Sequence, residues 1–201
     1  MKFLRLLAIE CKGWITWLVM GLPSTPIGNK IRRLYWARQL GLTGLNIVGR
    51  NAEVISRDPL EIGKNFVMGP NVVIDNCDSF GCYIGDGVGI AQGSYLRTAN
   101  HKFDDVNVSW MEQGHSAKSL NYQNRNYSIV IEDDVWVGAH CVILSGAHIS
   151  TGSVISAGSV VSGYIPPYSI VVGNPARVVL NRKKVSGVTA IEKDGGPLEQ
   201  V

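Results

Sequence analysis

The chain has 201 residues, enough for one domain with a full core, and its 23 glycines, 45% hydrophobic content and 17% charge suit a repetitive β-fold with tight corners. A formal net charge of +3, with no Lys/Arg stripe interleaved with aromatics, argues against a nucleic-acid-binding surface. The four cysteines, Cys11, Cys77, Cys82 and Cys141, form neither CxxC pairs nor a dense scaffold, which fits buried free thiols in a reducing, cytoplasmic compartment.

Residues 1–45 differ from the rest. Phe3, Leu4, Leu6, Leu7 and Ile9, then Trp14, Ile15, Trp17, Leu18, Val19 and Met20, follow a helical apolar pattern interrupted by Arg5, Glu10, Lys12 and Gly13. The uninterrupted run is shorter than the ~20 residues that cross a bilayer. Glu10 and Lys12 also break what would be the apolar region of a secretory signal, and no small-x-small cleavage site follows. Two readings stay open: a helix packed on the end of the next domain or on a sister subunit, and an interfacial helix whose Trp14 and Trp17 make peripheral contact with a membrane. Leu22 to Gly28, with Pro23 and Pro26, reads as a break. Asn29 to Leu40 reads as a second helix with Arg32, Arg33 and Arg38 on a solvated side, ended near Gly41 and Gly44.

From about Val48 the chain repeats every six residues. Val48 and Val54 are two registers; after a two-residue slip Ile62, Met68 and Ile74 are in phase, and after Asp75-Asn76-Cys77-Asp78 so are Ile84, Ile90 and Leu96. The longest run is Ile131, Val137, Ile143, Ile149, Ile155 and Val161, with Val135, Cys141, Ala147, Ser153, Ser159 and Ile165 at the fifth position of each hexad. A six-residue period fits neither a helix nor a simple amphipathic strand, and predicts a parallel β-helix: one short strand and one bend per hexad, with an inward aliphatic column. An ordinary Val/Gly-rich β-sandwich is the rival, and six consecutive registers in phase speak against it.

Between Lys102 and Ser128 the period vanishes, although intact coils flank the gap. In a solenoid such an insertion is extruded from a corner, and a long loop in a compact domain usually carries function; a tolerated surface insertion is the alternative. Pro166-Pro167 reads as the end of the column, because neither residue can donate to the ladder. A last strand-like run, Ile170 to Val172, precedes Gly173-Asn174-Pro175-Ala176-Arg177, and residues 181–201 read as a tail whose last fifteen or so are mobile.

Three segments carry a resemblance. The hexads of Ile131–Val161 with the turn Trp136-Val137-Gly138-Ala139, the run Ile155 to Val161, and Ile165 to Val179 (IPPYSIVVGNPARVV) resemble the hexapeptide-repeat acetyltransferases. The segment Thr98 to Asp104 (TANHKFD) is similar to the catalytic loop of xenobiotic, galactoside and maltose acetyltransferases, and the N-terminal helices look most like those of enzymes that O-acetylate bacterial surface polysaccharides. The resemblance implies an all-β solenoid, a left-handed parallel β-helix over residues 46–180 with N-terminal helices in 1–45 and an extruded loop at 102–128. It also implies a homotrimer with acetyl-CoA in the groove between neighbouring coils, and no required metal.

Acetyl transfer to a hydroxyl needs a base, because an alcohol is a poor nucleophile at neutral pH. His101, at the point where the solenoid gives way to the loop, is the candidate general base. Backbone N–H groups at a corner such as Gly138 of the adjoining subunit are candidates for the oxyanion. The family positions for CoA fall on Trp136, Gly138, Ala139, Ala157, Ser162 and Arg177, with Arg182 or Lys183 beside Arg177 for phosphates; Leu180 stands where galactoside-type enzymes carry a second basic residue. For a carbohydrate acceptor, Asp104 offers a hydroxyl-accepting carboxylate, Trp110 a stacking face and His115 a polar contact. The acceptor-binding Asn of galactoside-type enzymes falls near Gly69, with Asn71 close by. His140 and His148 occupy different hexad positions and read as surface residues.

The expected function is acetyl-CoA-dependent O-acetylation of a sugar in a bacterial surface polysaccharide, glycolipid or oligosaccharide precursor, an N-transferase on an amino sugar remaining open. A zinc lyase of the γ-carbonic-anhydrase type would need three converging imidazoles, and a non-catalytic β-helix scaffold would keep only the assembly.

Overall fold

The computed structural model describes residues 2–56 and 58–185; most of the tail expected to be mobile lies outside the described residues. Helix α1 spans Lys2–Gly21 and helix α2 spans Pro26–Leu40. The break between them is shorter than the sequence suggests, because Pro26 opens α2 instead of preceding it. Its missing N–H is one of the donors a first turn leaves unpaired anyway. Thr25 is the N-cap, its hydroxyl accepting the Gly28 N–H, and Gly41, at φ 66°, closes the helix with its N–H on the Ala37 carbonyl.

Arg32 is fully buried, which corrects the expectation of a solvated side chain. Its guanidinium donates to the carbonyls of Leu22, Pro23 and Val48 and to Asn29 Oδ1. These carbonyls belong to the turn between the helices and to the first coil strand, so one fork-shaped donor set gathers oxygens that would otherwise be buried unpaired. The end of α1 and one face of α2 thereby close the start of the coil: Met20 and Trp36 join one core with Leu42, Val48 and Ala52, and the Trp36 indole N–H points at Met20 Sδ.

From Ile47 the chain visits three parallel sheets in rotation, each strand pairing with one a full circuit later. The first face holds Ile47–Val48, Val67–Met68, Gly89–Ile90, Trp136–Val137, Val154–Ile155 and Ser169–Val172. The second holds Glu53–Ser56, Val73–Asn76, Tyr95–Arg97, Val142–Leu144 and Val160–Val161, and the third Leu60–Ile62, Cys82–Ile84, Ile129–Ile131, His148–Ile149 and Tyr164–Ile165. The aliphatic residues phased from the hexads stack in register as three columns: Met68, Ile90, Val137 and Ile155 on one face, Ile74, Leu96, Ile143 and Val161 on the next, Ile84, Ile131 and Ile149 on the third. All are buried, and their contact drives the stack.

The first corner joins the first face to the second, the second corner the second face to the third, and the third corner completes the circuit. Fifth-position residues bond the corners: the Ser94 hydroxyl donates to the Gly138 carbonyl at 2.8 Å and accepts the Cys141 N–H, and Ser153 Oγ donates to the Pro166 carbonyl at 3.0 Å. At Gly138 a Cβ would stand 2.6 Å from the Ala157 nitrogen, so only glycine fits beneath that coil.

Two readings at the C-terminal end need correction. Ile165 is an inward column residue stacked on Ile149, not a fifth-position residue, because the chain cuts the second corner short at Ser162-Gly163. Pro166-Pro167 does not end the column either: the pair forms the third corner, and Val171 beyond it stacks on Ile155. The coil stops where Arg177–Asn181 turns back antiparallel on Ser169–Val172.

Candidate active site

The extruded segment leaves the second corner and is built of two hairpins. Asn100–His101 pairs antiparallel with His115–Ser116, and Leu120–Tyr122 with Arg125–Tyr127. The second hairpin lies against the third face, where Tyr83 meets Tyr122 and Tyr127 at centroid distances of 5.0 and 5.7 Å. Tyr127 also donates its hydroxyl to Glu61 at 2.8 Å. Between the hairpins the Lys118 N–H donates to the nearly buried Ser145 hydroxyl at 2.8 Å. The root of the segment is held by Asp75, whose carboxylate takes the Tyr95 hydroxyl and the Arg97 guanidinium while its carbonyl takes the Thr98 N–H.

His101 therefore stands exposed on a strand anchored at both ends. Its ring meets Trp110 edge-on at 5.0 Å and lies 4.3 Å from the ring of His115, its register partner. His115 Nδ1 in turn faces Asp78 Oδ2 at 3.5 Å. A cleft of ≈ 340 Å³ opens beside His101, lined also by Lys102, Phe103, Asp104, Lys118 and Ser145. Of the expected site residues, His101, Asp104, Trp110 and His115 come together here. Sequence reasoning missed Asp78, Lys118 and Ser145; only the irregular spacing after Ile74 and the length of the insertion hinted at a crowded second corner.

Asn71 is elsewhere, in the left-handed region at the first corner, where its Oδ1 accepts from Asn51 at 3.3 Å. Trp136, exposed on the first face, leads into the same corner, which also holds Gly138, Ala139 and Ala157. The Gly138 N–H is already committed, donating to the Ile155 carbonyl at 2.8 Å, and so is not an oxyanion donor as expected. Ser162 sits at the second corner, apart from Ala139 and Ala157. Arg177 is exposed and donates to the Ala176 carbonyl, whereas Arg182 reaches the Gly152 carbonyl and Asp134, and Lys183 lies over the Tyr168 ring, all at the third corner. Arg177 and Arg182 thus serve different edges of the coil.

His140 is exposed, as expected of a surface residue, whereas His148 is half-buried. His140 takes a positive φ at the first corner with its ring over Gly93. His148 Nε2 meets Glu132 Oε1 at 2.7 Å, and Glu132 Oε2 takes both the N–H and the hydroxyl of Thr151. Burial pushes the Glu132 carboxyl up, but the bonds from His148 and Thr151 outweigh it and hold it below its ordinary value. Among the described residues no group of three or more His, Cys, Asp or Glu side chains could hold a metal ion.

No established family profile matches the chain. Over 124 residues it is 34% identical to a probable acetyltransferase of Mycobacterium tuberculosis, an alignment covering 62% of this chain and 38% of that protein. Over 120 residues it is 34% identical to the galactoside O-acetyltransferase of Escherichia coli K12, covering 60% and 53%. The chain thus spans about two-fifths to half the length of these curated relatives. A hexapeptide-repeat acetyltransferase of Vibrio cholerae, solved with acetyl coenzyme A, superimposes with a TM-score of 0.64 at 27% identity over 88% of either chain. The stacked coil is thus similar to that of a hexapeptide-repeat acetyltransferase. The homologues are acetyltransferases, and it is the acetyltransferases of this repeat type that the chain resembles in both sequence and fold.

Proposed function

We propose that the protein is an acetyl-CoA-dependent O-acetyltransferase acting on a carbohydrate hydroxyl, with His101 as general base. The observation that carries this reading is the exposed His101 imidazole, fixed between Trp110 and His115 at the mouth of a cleft containing Asp104. His101 takes the acceptor's proton as the hydroxyl oxygen attacks the thioester carbonyl. The tetrahedral intermediate then collapses, the C–S bond breaks, and the imidazolium returns its proton to the departing thiolate, so that no acyl-enzyme forms.

The small residues Ala139 and Ala157 leave the first corner open to a pantetheine arm, with Trp136 and Arg177 along the same face and Ser162 on the opposite edge. Within one chain the first corner and His101 lie on different edges of the coil. We therefore read the working form as a homotrimer of left-handed β-helices, in which one copy supplies His101 and the cleft and its neighbour the first corner. Asp104, Trp110 and His115 line the acceptor side; Asn71, at the first corner, would serve it from the neighbouring copy. The acceptor class is a sugar of a polysaccharide, glycolipid or oligosaccharide precursor.

The test is a screen of acceptors by release of CoA thiol, run on the wild type and on His101→Ala. Turnover with a sugar, lost in the variant while acetyl-CoA binding persists, is the expected result. An active His101→Ala protein would remove the base from this account, and failure to bind acetyl-CoA would leave only a scaffold.

A further inference from the structure

Only Thr16, Val19 and Met20 of α1's second half turn toward the body of the protein. Leu7, Trp14, Ile15, Trp17 and Leu18 follow one another around the opposite side at helical spacing, and Trp14, Trp17 and Leu18 are each 60% exposed or more. The two indoles meet edge-on, with centroids 6.0 Å apart. Beside this face runs a trough of ≈ 920 Å³ lined by Trp17, Leu18, Met20 and Pro23 together with Arg50 and Glu53. On α2, Ile27, Ile31 and Leu34 are also exposed, along the stripe that ends at Arg38. So much bare apolar surface on adjacent helices marks a contact site.

Charge selects the occupant. Residues 1–40 hold seven of the 19 Lys and Arg but one of the 16 Asp and Glu, so this segment is strongly basic while the rest of the chain is net acidic. Lys12, Lys30 and Arg38 are exposed around the apolar face. Two copies meeting through α1 would bring like charges together, whereas an anionic surface is attracted. Tryptophan pairs its apolar ring with a donor suited to the headgroup boundary. Among the described residues no helix is long and apolar enough to cross a membrane, so contact would be along the surface.

We propose that the exposed face of α1, flanked by the basic residues of α2, docks on an anionic phospholipid bilayer, with α1 lying in the headgroup–acyl boundary and the trough receiving lipid. Such docking holds the second-corner cleft near acceptors carried on a membrane.

The experiment is co-sedimentation of the full-length chain with vesicles of phosphatidylcholine, alone or mixed with phosphatidylglycerol. Binding is expected to the mixed vesicles, weakened by added salt and reduced at least about tenfold in Trp14→Ser/Trp17→Ser. Lys30→Glu/Arg38→Glu, which leaves the indoles in place, is expected to weaken binding to the mixed vesicles only. No wild-type binding to the mixed vesicles, or equal binding by the tryptophan variant, overturns the proposal. A wild type that ignores vesicles, with a variant of altered mass in light scattering, overturns it in favour of a contact between copies.

Discussion

His115 places its imidazole 4.3 Å from that of His101, centroid to centroid, because the two residues face each other across one antiparallel pair. That pairing converts a lone histidine into a supported one, packed between His115 and Trp110 and backed by Asp78. Replacing His101 by Ala removes the proposed base, and kcat/KM is expected to fall by at least about a hundredfold. Replacing His115 by Ala leaves the proposed base in place but removes its ring neighbour on the acceptor side, and we expect about a tenfold loss in kcat/KM, with acetyl-CoA affinity unchanged. Steady-state CoA release and calorimetry on both variants check this.

Glu132 gives the fold a pH dependence of known sign. Its carboxyl is held below the ordinary value of 4.5, so its contribution is fully present above that pH and is lost as the pH falls through the folded-state value. Glu132→Gln is expected to cost about 1.5–3 kcal/mol at neutral pH, and the gap to wild type should close below about pH 4.5. Thermal unfolding of both proteins at several pH values measures it.

Arg32 joins the helices to the coil. Arg32→Ala strands the carbonyls of Leu22, Pro23 and Val48, and a loss of about 3 kcal/mol is expected. Chemical denaturation gives the loss, and faster proteolysis near Pro23 than in the coil would show that the helices detach first.

Thiol reactivity should divide the cysteines. Cys11 is exposed, contrary to the expectation that all four are buried, while Cys77, Cys82 and Cys141 are buried. Burial pushes the Cys82 thiol up to about 12 and raises that of Cys141, so neither is present as the nucleophilic thiolate at neutral pH. Alkylation of the native protein followed by mass spectrometry is expected to label Cys11 rapidly and the buried three only after denaturation.

The solenoid was legible because its information is local. Each hexad carries its own aliphatic residue and its own small corner residue, so the columns that run through Ile131, Val137 and Ile143 could be phased without knowing what they touch. The phase failed only at Ile165, where the second corner loses two residues and the count from Val161 no longer matches the stack. The candidate base was legible too, since His101 closes a hexad just where the repeat stops.

What the chain's order of residues could not reveal lay in contacts between distant segments. The partnership of His101 with His115 depends on how the inserted segment folds back on itself, and the commitment of the Gly138 N–H on the coil stacked against it. Arg32 looked solvated because charged residues usually are. It is buried because three main-chain oxygens converge where the helices meet the first strand, and only the tertiary structure brings them together. The repeat, the phase of its aliphatic residues and the place where it is interrupted follow from residue order, because aliphatic burial and corner size act within a few residues. Tertiary structure alone decided which polar groups meet, because a buried donor must find whichever acceptor the finished fold sets before it.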